Sequence, residues 1–413
     1  MAVDPRHILA GFLTISMFAM LGNMIKRDHF DSLQMTLPLQ SGVNVMKFEE
    51  NKFSIASLVT KNPWKEDGQQ LKPCWAKPLS KAEERSNGYI VFSLTKGLEY
   101  HVSQLADAVV IARYLGATLM LPDIRGREPS QKRKFEDMYD ADKFLRSLNG
   151  VIKIVKELPP DVASRNPAIV RVPNQVYEDF IVKSIEPIFR AMGYLRLSID
   201  FPSRNSKQTE KQNPDLHATS CLTTFESLEL KPEVQEVADT MTRKLRTIGR
   251  NSDGCFIAVD LRIEILEMKI CKQIGNKGKK NCYNAEEISD FLRKMGFLGN
   301  TTIYLTQTWW HESLNLFREV FPNTYTKDDL IPADKKGDYL KHGNTHLEQA
   351  LDLYICSQSN AFVPAISGLF YGVVAGKRIA SGRSQILDPS SPPPDFISSY
   401  FSRKSHLAYS CHC

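Results

Sequence analysis

Hydrophobic positions in this chain fall into short blocks separated by amphipathic stretches, and the alternation sharpens after Asn87. Residues 88–93 form a brief apolar run that reads as a strand. A turn at Lys96–Gly97 follows, and then Val102, Leu105, Ala106, Val109 and Val110 recur at helical spacing. Residues 117–122 make a second apolar run, stopped by Pro122. Strand, helix and strand in so short a span predict a βαβ unit, hence parallel pairing with a right-handed crossover. Residues 168–172 and 195–199 read as further strands, with a helix over 178–192 between them. A polar stretch over 203–215 reads as an exposed loop, and Pro232 opens a helix carrying Val234, Val237, Met241, Leu245 and Ile248 on one stripe. A second series begins with the apolar run 255–261. Asn284 and Glu287 have the spacing of a capping box and start a helix to Met295. Beyond it the pattern predicts a strand at 302–306, a helix at 311–321, a helix ending near Cys356, a strand at 361–364 and a helix at 367–375. Prolines at 389 and 392–394 end the regular pattern. The expectation is an α/β protein of two Rossmann-like lobes, residues 86–250 and 251–395, with a ligand cleft between them.

Residues 8–25 carry no charge and just reach the length that crosses a bilayer. They exceed the usual apolar region of a cleaved signal, and no small-x-small site follows, so an uncleaved anchor is expected. Residues 1–7 are then a cytosolic tail, 26–85 a stem and 396–413 a C-terminal tail. Arg6 on one side and Lys26 and Arg27 on the other nearly balance. The large domain beyond the helix and the sequon Asn300-Thr301-Thr302 point to a type II topology with the domain in the lumen. The formal net charge of +6 over 413 residues is modest: it suits an anionic small molecule and does not call for nucleic acid. Eight cysteines include no matched C-x-x-C pairs, so a structural zinc is not expected, and Cys271–Cys282 is the leading disulfide candidate.

Three strand-to-helix junctions carry candidate chemistry. The first, Lys96-Gly97-Leu98-Glu99-Tyr100-His101, places backbone amides at a helix start. There Gly97 permits close approach and Lys96 and His101 supply polarity; the plain alternative is an ordinary turn. In the second, Asp260-Leu261-Arg262-Ile263-Glu264, a strand-end guanidinium can fork onto a diphosphate and steady its developing charge. Asp260 would orient it or act as a base, and the alternative is a structural Asp–Arg–Glu cluster. The third is Ala365-Ile366-Ser367-Gly368, where Ser367 either caps a phosphate or is an ordinary N-cap. Trp309, Trp310 and His311 read as an aromatic patch between lobes more readily than as a sugar platform. No D-x-D pair is placed as a metal clamp, so metal independence and the absence of a cofactor are expected.

At these junctions the chain resembles the plant O-fucosyltransferase-like family, which includes the rhamnogalacturonan rhamnosyltransferases, and within it the mannan-synthesis-related group. The resemblance spans residues 87–389. It is carried by 87–122, by Asp260-Leu261-Arg262-Ile263-Glu264 and by Val363-Pro364 through Gly376-Lys377-Arg378. It implies a GT-B-type fold, Golgi residence, inversion at the anomeric carbon without metal, and a nucleotide-sugar donor, GDP- or UDP-linked. For the mannan-related group it implies glucomannan or galactomannan synthesis, a polysaccharide acceptor and association with a mannan synthase. Arg262, Asp260 and Glu264 are the expected catalytic positions; Lys96, Gly97, His101, Leu261, Ala365, Ile366 and Ser367 would line the substrate. The family's Gly-Gly-Leu-Asn-Gln turn is Lys96-Gly97-Leu98-Glu99-Tyr100 here, its His before Leu-Arg is Asp260, and its Thr-Tyr-x-Gly is Ala365-Ile366-Ser367-Gly368. A carboxylate at Glu99 would repel a diphosphate unless Lys96 or a protonated His101 compensates. Two rivals stand beside a mannan glycosyltransferase: a non-catalytic partner of a mannan synthase, and a protein O-fucosyltransferase.

Overall fold

A computed structural model describes Trp64 and residues 72–80, 86–126, 132–200, 213–267, 282–340, 346–383, 385–389 and 411–412. The first sheet has five strands, all parallel: β1 (Tyr89–Val91), β3 (Thr118–Met120), β6 (Lys153–Val155), β7 (Ala168–Pro173) and β8 (Tyr194–Asp200), in the order β6-β3-β1-β8-β7. The order reverses at β1, so the crevice at a switch point opens beyond the C-terminal end of that strand. A small second sheet sits there, built from β2 (Ser93–Leu94), β4 (Asp123–Arg125) and β5 (Lys132–Lys134).

Helix α1 (Leu98–Leu115) makes the crossover from β1 to β3 and is buried almost all round. Apolar residues on every side suit it to the centre of the molecule. Gly116 ends it in the left-handed region, φ 62°, and the Asn87 side-chain amide donates to the Leu115 carbonyl at 2.9 Å. Behind it lie α2 (Pro214–Leu222) and α3 (Pro232–Ile248).

The third sheet is also parallel, with β9 (Phe256–Asp260), β10 (Thr302–Leu305), β11 (Thr324–Tyr325) and β12 (Ala361–Pro364) in the order β11-β10-β9-β12. Strands buried on both faces read as unbroken apolar runs, and β9, β10 and β12 do. Alternate residues serve different cores. Ile257, Val259, Ile303, Leu305 and Val363 pack with α4 (Ala285–Lys294) and the Asn315–Val320 helix. Phe256, Ala258, Tyr304 and Phe362 face α5 (His346–Gln358) and join the core that runs through α1 into the first sheet. The last helix, α6 (Leu369–Ala380), packs on α5 and α1. The division near residue 250 separates the sheets but not the core, and α3, grouped with the first lobe on sequence, lies against α5 of the second.

Several elements differ from the sequence expectation for physical reasons. The 178–192 helix is interrupted by a π turn, Ile181–Ile185, ahead of Pro187, which has no N–H to close the preceding turn. Residues 213–215, expected in a loop, start α2: Asn213 caps it by accepting from the Asp215 N–H, and Pro214 takes the first position. The helix expected from His311 begins later. His311 accepts from the Ser313 N–H and caps a 3-10 turn, Glu312–Leu314. The last helix begins at Leu369 and runs past residue 375 to Ala380.

Cys221 of α2 is bonded to Cys411, and the Cys74 N–H donates to the Cys411 carbonyl at 3.0 Å. Cys74 and Cys282 each take part in a disulfide as well; Cys271, the expected partner of Cys282, lies outside the described residues. So does the expected anchor at 8–25. Among the described residues no helix is long and apolar enough to cross a membrane.

Candidate functional site

The strand order of the third sheet reverses at β9, whose C-terminal end is therefore the natural ligand position. Asp260 is its last residue and is fully buried. Its Oδ1 accepts from Thr306 Oγ1 at 2.9 Å, and its Oδ2 accepts from Arg262 Nη2 at 3.2 Å. Arg262 Nε lies 3.0 Å from Oδ1, but its N–H is not directed at that oxygen and makes no hydrogen bond. Arg262 itself is 9% exposed, and its guanidinium stacks 5.0 Å from the Phe370 ring in the first turn of α6. Burial works against its charge, yet the carboxylates of Asp260, Asp352 and Glu99 outweigh this and hold its pKa above the usual arginine value. Asp260 is thus the orienting carboxylate of Arg262, with both oxygens engaged, rather than a free base.

Behind this pair lies a second buried ion pair that the sequence did not reveal. Lys327 Nζ donates to both Asp352 oxygens, at 2.9 and 2.8 Å, and to the Thr306 carbonyl at 2.9 Å. Tyr304 Oη donates to Asp352 Oδ1 at 2.6 Å. Burial raises the Asp352 pKa to about 6 against the pull of Lys327. Thr306 links the two pairs, so Arg262 is braced from below.

The turn before α1 supplies the opposite wall. Lys96 is exposed and sits in the left-handed region, φ 66°. Its carbonyl accepts from His346 Nε2 at 2.6 Å, at the start of α5. Gly97 has an ordinary backbone, φ −87°, so conformation does not require glycine there; space does. A Cβ would lie 2.7 Å from Gln349 Oε1 and would collide with the Glu99 carboxylate. Gln349 Oε1 accepts from the Leu98 N–H at 3.1 Å, and Glu99 accepts from its own backbone N–H. Two side chains therefore occupy the start of α1, where a bound anion was expected. Glu99 Oε2 is buried and has no hydrogen-bond partner. Burial raises its pKa, its own N–H and Arg262 oppose that, and Asp260 adds to it. Gln349, which accepts from the Leu98 N–H, and Asp352, which holds Lys327 behind the Asp260–Arg262 pair, both belong to α5, so the Gly97 turn and the strand-end arginine flank one helix.

The other expected site residues are dispersed. His101 is fully buried, with Nδ1 2.8 Å from Tyr139 Oη and its ring 5.3 Å from that of His346. Burial, with the His346 charge, lowers its pKa to about 3, so it is neutral and supplies no compensating charge near Glu99. Leu261 is buried, and its N–H donates to the Val259 carbonyl. Ala365 and Ile366 are buried too; the Ala365 carbonyl accepts from the Tyr283 N–H at 2.8 Å, and Ile366 bridges to Cys282. Ser367 is exposed but does not cap α6. Gly368 holds that position at φ 151° with no side-chain cap, leaving the first turn of α6 open beside Phe370 and Arg262. Glu264 is exposed on the short helix Ile263–Leu266. Arg378, part of the sequence resemblance, is a structural residue: fully buried, it donates to the carbonyls of Cys356, Ser359, Asn360 and Gln385. Trp310 stacks under Arg318 at 3.4 Å and donates to Asn315, which accounts for it structurally.

Among the described residues one group of potential metal ligands comes together, His217, Cys221 and Cys411, and two of its members are joined as a disulfide. A cleft of about 500 Å³ lined by Arg246, Asp253 and Arg383 lies beside Gly254 and Asn360. Asp253 and Gly254 precede β9 and Asn360 precedes β12, so the cleft is at the opposite end of the sheet from Arg262.

The family model for GDP-fucose protein O-fucosyltransferase matches residues 89–380. The chain is 51% identical to Protein MANNAN SYNTHESIS-RELATED 1 of Arabidopsis thaliana, with all of both chains covered. It is 43% identical to Protein MANNAN SYNTHESIS-RELATED of Trigonella foenum-graecum, again over the whole of both. A crystal structure of POFUT1 in complex with GDP-fucose aligns with 74% of this chain and 99% of its own at 14% identity, with a TM-score of 0.47. The matched family model and the full-length relatives agree: the chain belongs to the GDP-fucose protein O-fucosyltransferase family, among its mannan-synthesis-related plant members.

Proposed function

We propose that this protein is a Golgi glycosyltransferase of cell-wall mannan, glucomannan or galactomannan, that draws its sugar from a GDP-linked donor. It would be held in the membrane by residues 8–25, with the domain in the lumen, and would act as a GT-B-type enzyme without metal. The observation that carries this reading is Arg262. It is nearly buried, aimed by Asp260, braced through Thr306 and left with an unused Nε–H beside the open first turn of α6. A guanidinium and a helix start converging on one point suit a diphosphate leaving group, whose charge grows as the glycosidic bond breaks. The family description names a GDP-sugar, and the full-length relatives bear mannan-synthesis names, which supports that donor class and a polysaccharide acceptor.

A second reading, a non-catalytic partner of a mannan synthase, draws on Glu99 and Gln349 covering the start of α1. GDP titration of the detergent-solubilised full chain separates the two. With Arg262→Ala the affinity should fall by roughly 1.5–3 kcal/mol, the worth of charge-assisted hydrogen bonds. Equal GDP binding by wild type and variant would remove Arg262 from the donor site, and no binding by either would favour the partner role.

A further inference from the structure

We propose that Trp309 is a platform for the acceptor polysaccharide, holding one sugar of a neutral mannan chain beside the strand-end arginine. This rests on the transferase reading above and names how its acceptor is gripped. Two indoles follow β10, and the fold uses them differently. Trp310 is half-buried: the Arg318 guanidinium covers its ring at 3.4 Å, and its Nε1–H donates to Asn315 Oδ1 at 2.9 Å. Trp309 is 47% exposed and, among the described residues, makes no hydrogen bond and no ring contact. A single apolar side chain on a surface needs no explanation by itself. Trp309 differs in how firmly its loop is held and in where that loop sits.

The residues leading to Trp309 are pinned one after another. Gln307 Oε1 accepts at 2.9 Å from the N–H of Ile263, the residue after Arg262. The Gln307 carbonyl accepts from the Lys327 N–H at 3.1 Å. Thr308 Oγ1 donates to Glu348 Oε2 at 2.6 Å, and the Thr308 carbonyl accepts from the Asp328 N–H at 3.0 Å. Glu348 is followed on α5 by Gln349, which accepts from the Leu98 N–H of the Gly97 turn. Trp309 is therefore one residue from a side chain fixed on α5 and two from one fixed beside Arg262. Two residues span at most about 7 Å, so the ring is carried at the sheet end that bears the arginine.

Strand order gives the direction of the bound chain. β10 and β12 flank β9, so the loops that follow them lie on either side of Arg262. Trp309 follows β10, and Leu369, 39% exposed, follows β12 as the first residue of α6. Apolar surface thus borders the arginine on both sides, along the edge across which a row of sugars would lie. A pyranose has a face lined by C–H groups, which leaves water for a flat aromatic ring while the hydroxyls stay solvated. An uncharged indole selects that face and not a diphosphate, so acceptor and donor are recognised by different chemistry on neighbouring loops.

The test uses the solubilised full chain, titrated with mannohexaose and, separately, with GDP. Stacking should dry the exposed indole and move the emission of wild type to shorter wavelength. Trp309→Ala should weaken mannohexaose binding by about tenfold or more, the loss typical of a truncated aromatic anchor, with GDP affinity within about twofold of wild type. Trp309→Phe keeps a flat ring and should bind mannohexaose within about threefold of wild type, but without the emission shift. A purely structural role would instead lower the urea midpoint of Trp309→Ala and leave the mannohexaose affinity of the folded protein unchanged. Equal mannohexaose binding by wild type and Trp309→Ala would overturn the assignment. So would a wild type that binds GDP but not mannohexaose, the result expected of an indole that docks a protein partner. A parallel loss of GDP affinity in Trp309→Ala would overturn it too, by placing the ring in the donor site. If wild type binds mannohexaose through Trp309 but does not bind GDP, the donor site proposed above fails and the platform stands.

Discussion

His101 shows how a residue chosen for its chemistry can be claimed by the core. On sequence it lies four positions after Gly97, near enough to a diphosphate to suggest a charged contact. In the fold its ring turns inward against Tyr139 and His346, and its pKa drops to about 3. The folded protein therefore holds it neutral where an unfolded histidine, near 6.5, begins to take up a proton. Its contribution to stability is complete above pH 6.5 and is lost as pH falls from there toward 3. Asp107 and Asp352, with pKa values raised by burial to about 7 and about 6, act in the opposite sense. The whole-protein curve mixes all three, and a comparison with His101→Phe isolates one. Relative to that variant, wild type should lose up to about 1.4 kcal/mol per pH unit over this range. Urea midpoints measured every half unit of pH would show it; parallel curves for the two proteins would mean that His101 does not titrate as its burial requires. Strand-end residues such as Asp260 and Arg262 were legible because a run of apolar residues announces where a strand stops. Lys327, Gln349 and Asp352 were not, because each belongs to a distant element, and only the packing of α5 against β9 and the Lys327–Asp352 pair bring them to the site.

Elements were readable in proportion to how deeply both of their faces are buried. The apolar runs at β1, β9, β10 and β12 appear in sequence almost as they do in the fold, since parallel strands covered by helices on each side have no polar face to confuse the pattern. Edge strands hide. β5 is Lys-Arg-Lys with every side chain exposed, so it carries no apolar signal. Helix starts were legible where cap chemistry is local. Asn284 is the clearest: its side chain accepts from the Glu287 N–H at 2.9 Å, and Glu287 Oε2 accepts from the Asn284 N–H at 2.9 Å. Asn284→Ala removes the first bond and keeps the second, because the latter uses only backbone at position 284. The expected cost is about 1 kcal/mol, half of a capping box. A urea midpoint indistinguishable from wild type would show that packing of Ile288, Phe291 and Leu292 fixes α4 without its cap.

At the scale of the whole molecule the question is whether the two sheets fold as one. Phe256, Tyr304 and Phe362 share a buried cluster with α1 and the first sheet, and α3 lies on α5, so the apolar contacts cross from lobe to lobe. The Cys221–Cys411 bond closes a loop of 190 residues that contains the whole third sheet and returns the far end of the chain to α2. Around it, Pro73 bridges to His412, and His412 packs edge-on against Phe225 with ring centroids 5.0 Å apart. A cross-link spanning so long a loop removes much freedom from the unfolded chain: the chain-entropy relation gives about 5 kcal/mol for a loop of this size. The disulfide formed at Cys74 already restricts that chain, so the measured value should be lower. Replacing both Cys221 and Cys411 by serine should cost roughly 2–5 kcal/mol in urea, the range found for native disulfides. Because the core is continuous, the transition should stay single, with fluorescence and circular dichroism changing together. Two separated transitions in the variant would mean that the disulfide, and not the shared core, couples the sheets. The placement of Arg262 beside the first turn of α6 would then depend on the oxidised bond, and GDP binding should weaken on reduction. A single shifted transition with GDP binding intact would instead place that geometry in the packing of α1 against α5 and α6.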